Sequence, residues 1–213
     1  MIAVDSALRP VVALGVLAQE DARVVEGDPA LEAPLAEAAA RARGAGPPEA
    51  AIAAVRAMYH RFGIDPTKTR PSSEALLRRV RKGEPLPRIN TLVDVCNWCS
   101  LELQLPYGLY DLDRVEPPIE LRRGRPGEQY AGIRRDAVHV EGRPVLADAR
   151  GPFGNPTADS ARTMVTPETT RALVVIFAPR ALEEAALARA LDVTAERLVR
   201  YAGGRMTGRW VVR

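Results

Sequence analysis

The fold-determining stretch of this 213-residue chain is Leu86-Pro87-Arg88-Ile89-Asn90-Thr91-Leu92-Val93-Asp94-Val95-Cys96-Asn97-Trp98-Cys99-Ser100-Leu101-Glu102-Leu103. Apolar residues lie around most of its circumference, which predicts a helix over 89–103 that is buried on several sides. Asn90, Asp94 and Asn97 recur at i, i+4 and i+7 and therefore share one face. Because buried amides and carboxylates need partners, this stripe either ties neighbouring loops by hydrogen bonds or lines a ligand pocket.

The residues before this helix predict one buried strand and a layer of helices. The β-branched run 11–17 is typical of a buried strand. Two alanine-rich helices are expected at 29–43 and 47–62, each opened by a proline. A third begins near Pro71-Ser72-Ser73-Glu74, where a serine N-cap and an early glutamate suit a helix start. It ends in the basic run Arg78-Arg79-Val80-Arg81-Lys82, which suits the C-terminal end of the helix dipole.

The residues after this helix predict a half that is rich in sheet. From about 106 to 179, short apolar or alternating runs are separated by glycine and proline. Two further helices are expected at 180–191 and 194–201, and a final edge strand at 209–212. The length suits one α+β domain, so we expect a single domain over residues 1–213.

Composition excludes several classes of protein. With 46% hydrophobic and 27% charged residues, the chain has material for a core and does not have the composition of a disordered protein. No window approaches 18 consecutive apolar residues, so no membrane span is expected. The apolar run 11–18 makes a poor signal peptide, and two cysteines are too few for a secreted disulfide scaffold. We therefore expect a cytoplasmic location.

The net charge of +3 is unevenly distributed. Of the 30 basic residues 28 are arginine, a skew that fits a GC-rich coding bias and weakens the basic pI as evidence for nucleic acid. Residues 61–90, however, hold eight basic and three acidic residues. This surplus is either a solvated helix end or an electrostatic footprint for RNA phosphates. Arg122, Arg123 and Arg125 add to such a footprint if they lie on the same face.

The common catalytic motifs are absent. The chain has no P-loop, no GxGxxG after a strand, no HExxH and no GxSxG. Cys96 and Cys99 form a CxxC inside the predicted helix, which favours core packing over redox chemistry at a helix N-terminus. A zinc site would need His60 and His139 at spacings unlike any ordinary ligand pattern. We expect no metal and no cofactor.

The stretch 86–103, with Pro106-Tyr107-Gly108-Leu109-Tyr110-Asp111-Leu112-Asp113 after it, resembles the B3/B4 domain of the bacterial phenylalanyl-tRNA synthetase β subunit. It resembles the stand-alone B3/B4 proteins more closely still. The VDVxN core, the LEL turn, the proline and the terminal aspartate match in order and spacing. Ile119-Glu120-Leu121-Arg122, Gly127-Glu128, Ala147-Asp148 and Asp159-Ser160-Ala161-Arg162-Thr163 continue the pattern, so the likeness covers roughly residues 60–180.

This resemblance implies a fold and a site. The fold is a three-layer α+β structure of the B3/B4 type, a β-sandwich of unusual connectivity with a helical layer. In the synthetase the domain hydrolyses the ester of tyrosine wrongly attached to the phenylalanine tRNA. Its pocket is lined by the counterpart of the 89–103 helix, with an asparagine at Asn97 and an arginine within a residue of Arg88. The expected substrate-binding residues are thus Arg88, Asn90, Asp94, Asn97 and Tyr107.

The departures from the family pattern concern the catalytic groups. The editing histidine of the synthetase falls at Gly108, and its editing glutamate falls near Ser160 or Ala161, with no acid in register. The candidate replacements lie together: a carboxylate to hold a water, hydroxyls to donate to the ester or ribose, and a guanidinium to offset oxyanion charge. They are Asp159, Ser160, Arg162 and Thr163. The overlapping segment from residue 155 to 160 also has the residue types that are typical of a turn, which is the alternative interpretation.

Sequence alone leaves open whether the chain is an enzyme. A free-standing deacylase would hydrolyse mischarged aminoacyl-tRNA in trans by positioning a water, without metal. A non-catalytic module would hold an amino acid, a nucleoside or a tRNA end, which the loss of both editing groups favours. A structural relic is disfavoured because the polar stripe survives. In the first two cases tRNA or aminoacyl-tRNA is the expected partner, with phosphate contacts from Arg78, Arg79, Arg81 and Lys82.

Overall fold

The computed structural model describes residues 2–44, 49–133 and 135–213, without the side chains of residues 135 and 136. Its helices are α1 (Glu32–Gly44), α2 (Glu49–Arg61), α3 (Ser72–Arg81), α4 (Thr91–Leu103) and α5 (Glu184–Ala202). Its strands are β1 (Ile2–Val4), β2 (Val12–Glu20), β3 (Tyr107–Asp111), β4 (Ile119–Arg123), β5 (Gln129–Gly132), β6 (Arg135–His139), β7 (Pro144–Asp148), β8 (Gly151–Gly154), β9 (Ala172–Pro179) and β10 (Arg205–Val212). The predicted α+β class is confirmed.

The strands form two four-stranded sheets and a small ribbon. The first sheet has the order β10-β2-β9-β3, and all its neighbours are antiparallel. The second has the order β1-β4-β7-β8, in which β1 runs parallel to β4 and the other pairs are antiparallel. β5 pairs with β6 in the ribbon. The central strands of the first sheet, β2 and β9, are buried almost throughout, as their continuous apolar runs predict.

Strand β3 shows how the layers stack, because its alternate side chains face opposite layers. The Tyr107 hydroxyl hydrogen-bonds with Thr194 of α5 at 2.9 Å. Tyr110 points the other way and packs edge-on against Phe153 of the second sheet, with ring centroids 4.9 Å apart. Gly15 of β2 has no side chain between the sheet and α5, so the leucines of α5 pack directly on it. The helices, the first sheet and the second sheet are thus the three layers that the resemblance implied.

Helix α4 has well-defined ends. Asn90 is the N-cap, and its side chain accepts a hydrogen bond from the Val93 amide at 3.0 Å. At the other end Gln104 adopts a left-handed backbone, with φ of 53°. Its side-chain amide donates to the Leu101 carbonyl at 2.7 Å, which satisfies one of the free carbonyls of the last turn. Most of α4 between these caps is buried, as predicted.

Two predictions about the other helices are wrong. No serine caps α3, because the helix begins at Ser72 itself and Pro71 occupies the N-cap position without a side-chain cap. The helices expected at 180–191 and 194–201 are one continuous helix, α5, that starts only at Glu184. Thr194 does not interrupt it, since its hydroxyl donates to the Ala190 carbonyl one turn earlier at 2.7 Å.

The other elements largely agree with the sequence analysis. α1 and α2 occupy the two predicted alanine-rich segments, although the expected start of the second, at residue 47, lies outside the described residues. The predicted final strand is present as β10 at the edge of the first sheet, and it starts at Arg205. Within the described ranges no helix is long and apolar enough to cross a membrane.

Candidate functional site

A cavity of about 540 Å³ lies between α3, α4, β3 and the segment 159–165. Its walls are mainly apolar and include Leu76, Ile89, Val93, Leu109, Met164 and Val165. The polar groups among its lining residues are Ser72, Asn90, Asn97, Ser100, Tyr107 and Asp159. An apolar cavity of this size with a few polar groups has the character of a small-molecule site.

The polar stripe of α4 serves both of the roles left open by the sequence. Asn90 and Asn97 line the cavity. Asp94 is fully buried outside it, where it accepts hydrogen bonds from the Ile89 amide at 2.8 Å and from Nε of Arg88 at 2.9 Å. At 3.6 residues per turn Asp94 lies roughly 40–60° around the helix from the two asparagines, enough to turn it away. The expectation that Asp94 lines the site is wrong, because it holds the turn before α4.

The other expected binding residues do not all reach the cavity. Arg88 does not reach the cavity, because its guanidinium is held by Asp94 and donates to the Asp28 carbonyl at 2.6 Å. Tyr107 does line the cavity, but its hydroxyl is bound to Thr194 of α5. Asn97 makes no side-chain hydrogen bond within the described residues, which leaves its amide free for a ligand. Of the five predicted binding residues, the structure brings Asn90, Asn97 and Tyr107 together.

Only Asp159 of the four catalytic candidates reaches the cavity. The predicted turn is real, since the Asn155 side chain accepts hydrogen bonds from the Thr157 and Ala158 amides. Asp159 ends this turn. Its Oδ2 accepts a long hydrogen bond of 3.4 Å from the Leu109 amide, and its buried Oδ1 has no partner among the described residues.

Burial raises the pKa of Asp159 to about 7, although the Tyr110 hydroxyl and the Leu109 amide partly oppose this shift. The cause is the low polarity around the carboxyl, which disfavours the charged form. The Tyr110 hydroxyl is itself buried without a well-aligned hydrogen-bond partner in the part of the chain described. Near neutral pH, Asp159 therefore exists both as carboxylate and as carboxylic acid.

The other three catalytic candidates have structural roles. Ser160 accepts a hydrogen bond from the Arg162 amide at 3.0 Å and so caps the short 3-10 turn Ala161–Thr163. The Arg162 guanidinium makes two hydrogen bonds of 2.9 Å to the buried Asp148. The hydroxyl of buried Thr163 donates to the Phe153 carbonyl at 3.5 Å. None of these three residues lines the cavity, so the structure does not bring them together with Asp159 there.

Tyr110 was not predicted as a site residue, yet it fills the space beside position 108, where the resemblance placed the editing histidine of the synthetase. Its ring lies between Gly108 and Gly154, and a Cβ at either glycine would overlap the ring or its hydroxyl. Position 108 therefore has no room for a side chain while Tyr110 stays in place. The only sequence signal is the pair of glycines, and they are too far apart in the chain to be linked without the fold.

The basic residues near the site do not form one surface. Arg78, Arg81 and Lys82 are exposed at the C-terminal end of α3. Arg79 instead pairs with Glu84 at 3.2 Å. Arg122 and Arg123 are not free to extend this surface. Arg122 binds Glu128 through two hydrogen bonds of 2.7 Å, and Arg123 donates to the Gly142 carbonyl.

The two cysteines of the CxxC motif are core residues. Cys96 and Cys99 are buried and unbridged, and burial raises the pKa of both thiols. Such thiols stay protonated and unreactive, as core packing predicts. Within the described ranges no three or more histidine, cysteine, aspartate or glutamate side chains group closely enough to hold a metal.

The geometry defines a class of domain: a three-layer α+β sandwich with a cavity between its helices and the edge strand of one sheet. The B3/4 domain family model matches residues 54–204, so the chain belongs to the B3/4 domain family. It is 41% identical over 69 residues to the phenylalanine–tRNA ligase beta subunit of Xanthomonas campestris pv. campestris (strain 8004), covering 32% of this chain and 8% of that protein. It is 32% identical over 112 residues to the same subunit of Xanthomonas oryzae pv. oryzae (strain MAFF 311018), covering 48% of this chain and 14% of that protein.

A solved structure shows the same fold. The N-terminal fragment of the phenylalanyl-tRNA synthetase β subunit from Pyrococcus horikoshii superposes with a TM-score of 0.53 and 16% sequence identity. The superposition covers 97% of this chain and 50% of that one. The present chain therefore spans half of the fragment, and a much smaller share of the two subunits compared above.

Proposed function

We propose that this domain binds the aminoacyl end of a charged tRNA and hydrolyses the ester in trans. The observation that carries the proposal is Asp159, which lines the apolar cavity and whose carboxyl has a pKa of about 7 and one oxygen without a partner among the described residues. A general base works best when its pKa lies near the working pH. A role on charged tRNA also agrees with the cytoplasmic location expected from composition.

The reaction needs one proton acceptor and a positioned ester. Asp159 takes a proton from a water as the water oxygen attacks the ester carbonyl carbon. The bond from that carbon to the ribose oxygen then breaks, and the ribose oxygen takes up a proton. The products are a free amino acid and an uncharged tRNA. The free amide of Asn97 is suited to donate a hydrogen bond to the carbonyl oxygen as it gains negative charge.

The rest of the cavity suits the amino-acid side chain. Its apolar residues come from α3, α4, β3 and the segment 164–165 and enclose a volume typical of ligand sites. Burying an apolar side chain there would supply binding free energy of about 25 cal/mol per Å² removed from water. A large apolar amino acid is therefore the favoured substrate class.

A deacylation panel tests the proposal. The purified protein is incubated with a set of mischarged tRNAs, and ester loss is followed against the spontaneous rate. Turnover on at least one is expected, and Asp159→Asn should lower its rate by about a hundredfold or more. Asp113→Asn is the matched control, because Asp113 is a half-exposed carboxylate paired with Arg171 outside the cavity. Full activity in Asp159→Asn would place the chemistry elsewhere.

A second candidate is a binding module without turnover. It is favoured by the missing editing histidine, whose position is closed by Tyr110, and by the missing glutamate. In that case the neutral form of Asp159 would donate a hydrogen bond to the ligand. Saturable binding of a charged or uncharged tRNA 3′ end, with no ester loss on any tRNA of the panel, identifies this function.

A further inference from the structure

A second depression, of about 600 Å³, adjoins the cavity. The two share the lining residues Ser72, Leu76 and Asn97, which form the boundary between them. We name this second depression the basic groove, because its charged lining residues are Lys68, Arg70 and Arg79. No acidic residue is among the described residues that line it.

The ion pairs around the groove leave it with a positive surplus. Lys68 is exposed and makes no ion pair within the described residues. Arg70 lies 3.4 Å from Glu74, but Glu74 is already bound by Arg56 through hydrogen bonds of 2.8 and 3.1 Å. One carboxylate therefore serves two guanidinium groups.

The acids nearest in sequence offset only part of this positive charge. The Asp65 carboxylate, in the same loop as Lys68, accepts two hydrogen bonds from Thr67 and does not line the groove. Glu84 lies 3.2 Å from Arg79 and is about half exposed, so solvent weakens that pair. Helix α3 also begins at the groove without a side-chain cap, and its first amides add to the positive potential.

We propose that the basic groove binds the phosphates of the single-stranded RNA that leads to the ester. This inference rests on the proposed function, which places the ester in the adjoining cavity. The RNA strand must leave the cavity across the boundary that the cavity shares with the basic groove. Ser72 and Asn97 lie at this boundary and offer polar contacts to the terminal ribose. Lys68, Arg70 and Arg79 then meet the phosphates that follow.

The groove thereby separates two kinds of basic residue. The groove residues contact the strand next to the ester. Arg78, Arg81 and Lys82 lie on the exposed end of α3 and contact only parts of the tRNA farther from its 3′ end. A short RNA strand should thus depend on the groove alone.

The test is binding of a short single-stranded RNA that ends in CCA with a free 3′ hydroxyl, measured by fluorescence anisotropy across a salt series. The groove variant K68Q/R70Q/R79Q should lose about tenfold or more in affinity at low salt. Its slope of log affinity against log salt should fall by about 2, because each phosphate contact to a single strand contributes about 0.7. The control variant R23Q/R189Q/R200Q removes the same charge at exposed positions outside both depressions and should bind as the parent does.

Three results would refute RNA binding by the basic groove: no RNA binding by the parent, unchanged affinity in the groove variant, or an equal loss of affinity in the control variant. Circular dichroism and thermal melting establish that each variant is folded. If the triple variant does not fold, K68Q alone serves, because Lys68 is exposed and makes no ion pair within the described ranges. Its salt slope should fall by about 0.7.

A phosphate-free substrate, an aminoacyl-adenosine, separates this inference from the proposed function. The groove variant should hydrolyse it at the parent's rate while its KM for charged tRNA rises. If the parent hydrolyses neither substrate but RNA binding still depends on the groove residues, the proposed function is refuted and RNA binding by the groove is confirmed. If the parent hydrolyses charged tRNA and the groove variant binds RNA as the parent does, RNA binding by the groove is refuted and the proposed hydrolysis is confirmed.

Discussion

Replacing Asp159 with asparagine should make the protein more stable at alkaline pH while it removes the proposed catalytic carboxyl. The carboxyl has an ordinary pKa of 3.8, and burial raises it to about 7 in the folded chain. Between these values the unfolded chain has lost a proton that the folded chain still holds. The free energy of unfolding of the parent therefore falls by about 1.4 kcal/mol for each pH unit in this window.

The full effect is about 4 kcal/mol, because the window spans roughly three pH units. The contribution of the protonated carboxyl is complete below the unfolded pKa and is lost as the pH rises through the folded pKa. Asparagine keeps a similar shape but does not ionise. At about pH 8 the variant should thus be more stable, relative to the parent, by about 4 kcal/mol than it is at about pH 4.

Urea unfolding of the two proteins across this pH range measures the effect. The difference between them cancels the titration of all other groups whose surroundings are unchanged. Asp113→Asn again serves as the control, and its difference from the parent should not show this rise centred between the two pKa values. A difference between Asp159→Asn and the parent that stays flat from about pH 4 to about pH 8 would refute the buried-carboxyl argument.

Four other outcomes are expected. The deacylation rate, corrected for spontaneous hydrolysis, should rise about tenfold per pH unit up to about pH 7 and then level, because only ionised Asp159 accepts a proton. Gly108→Ala should lower the free energy of unfolding by about 1–3 kcal/mol through overlap with the neighbouring tyrosine. Gly44→Ala should not, because a Cβ there meets no atom of the described residues within 4 Å. Arg162→Ala should lower it by about 3 kcal/mol or more by unpairing Asp148, as urea unfolding will show, without changing the rate per folded molecule. Replacing Arg78, Arg79, Arg81 and Lys82, at the end of α3, by alanine should weaken binding of full tRNA most strongly at low salt, measured by filter binding, and equal binding would make them a solvated helix end.

The parts of the fold that the sequence predicts are those governed by local pattern. α4 is long and apolar, and its N-cap asparagine satisfies a free amide within three residues, so its position follows from the sequence. The buried strands β2 and β9 are continuous apolar runs of the length of a strand. The break expected within α5 is absent, because the Thr194 hydroxyl donates to the Ala190 carbonyl one turn earlier in the same helix.

The site could be predicted only in part, because side-chain direction depends on distant partners. Asp159 and Arg162 are three residues apart and both polar, and their spacing suggests a shared role. Arg162 instead binds Asp148, which lies fourteen residues earlier in the chain at the end of β7. The Asp94 carboxylate likewise binds Arg88 instead of lining the cavity. Arg88 is in turn held by the Asp28 carbonyl, in the loop before α1.

The apolar walls of the cavity have two effects, and the proposed reaction depends on both. They provide the surface on which an apolar amino-acid side chain would be buried, and they make the surroundings of the Asp159 carboxyl less polar than bulk water, which raises its pKa toward neutrality. A carboxylate in water, with a pKa near 4, would be a weak base for drawing a proton from water. A histidine needs no such environment, since its ordinary pKa is already about 6.5. With Tyr110 filling the space beside Gly108, the proposed function assigns the role of base to a carboxyl whose pKa is raised by burial.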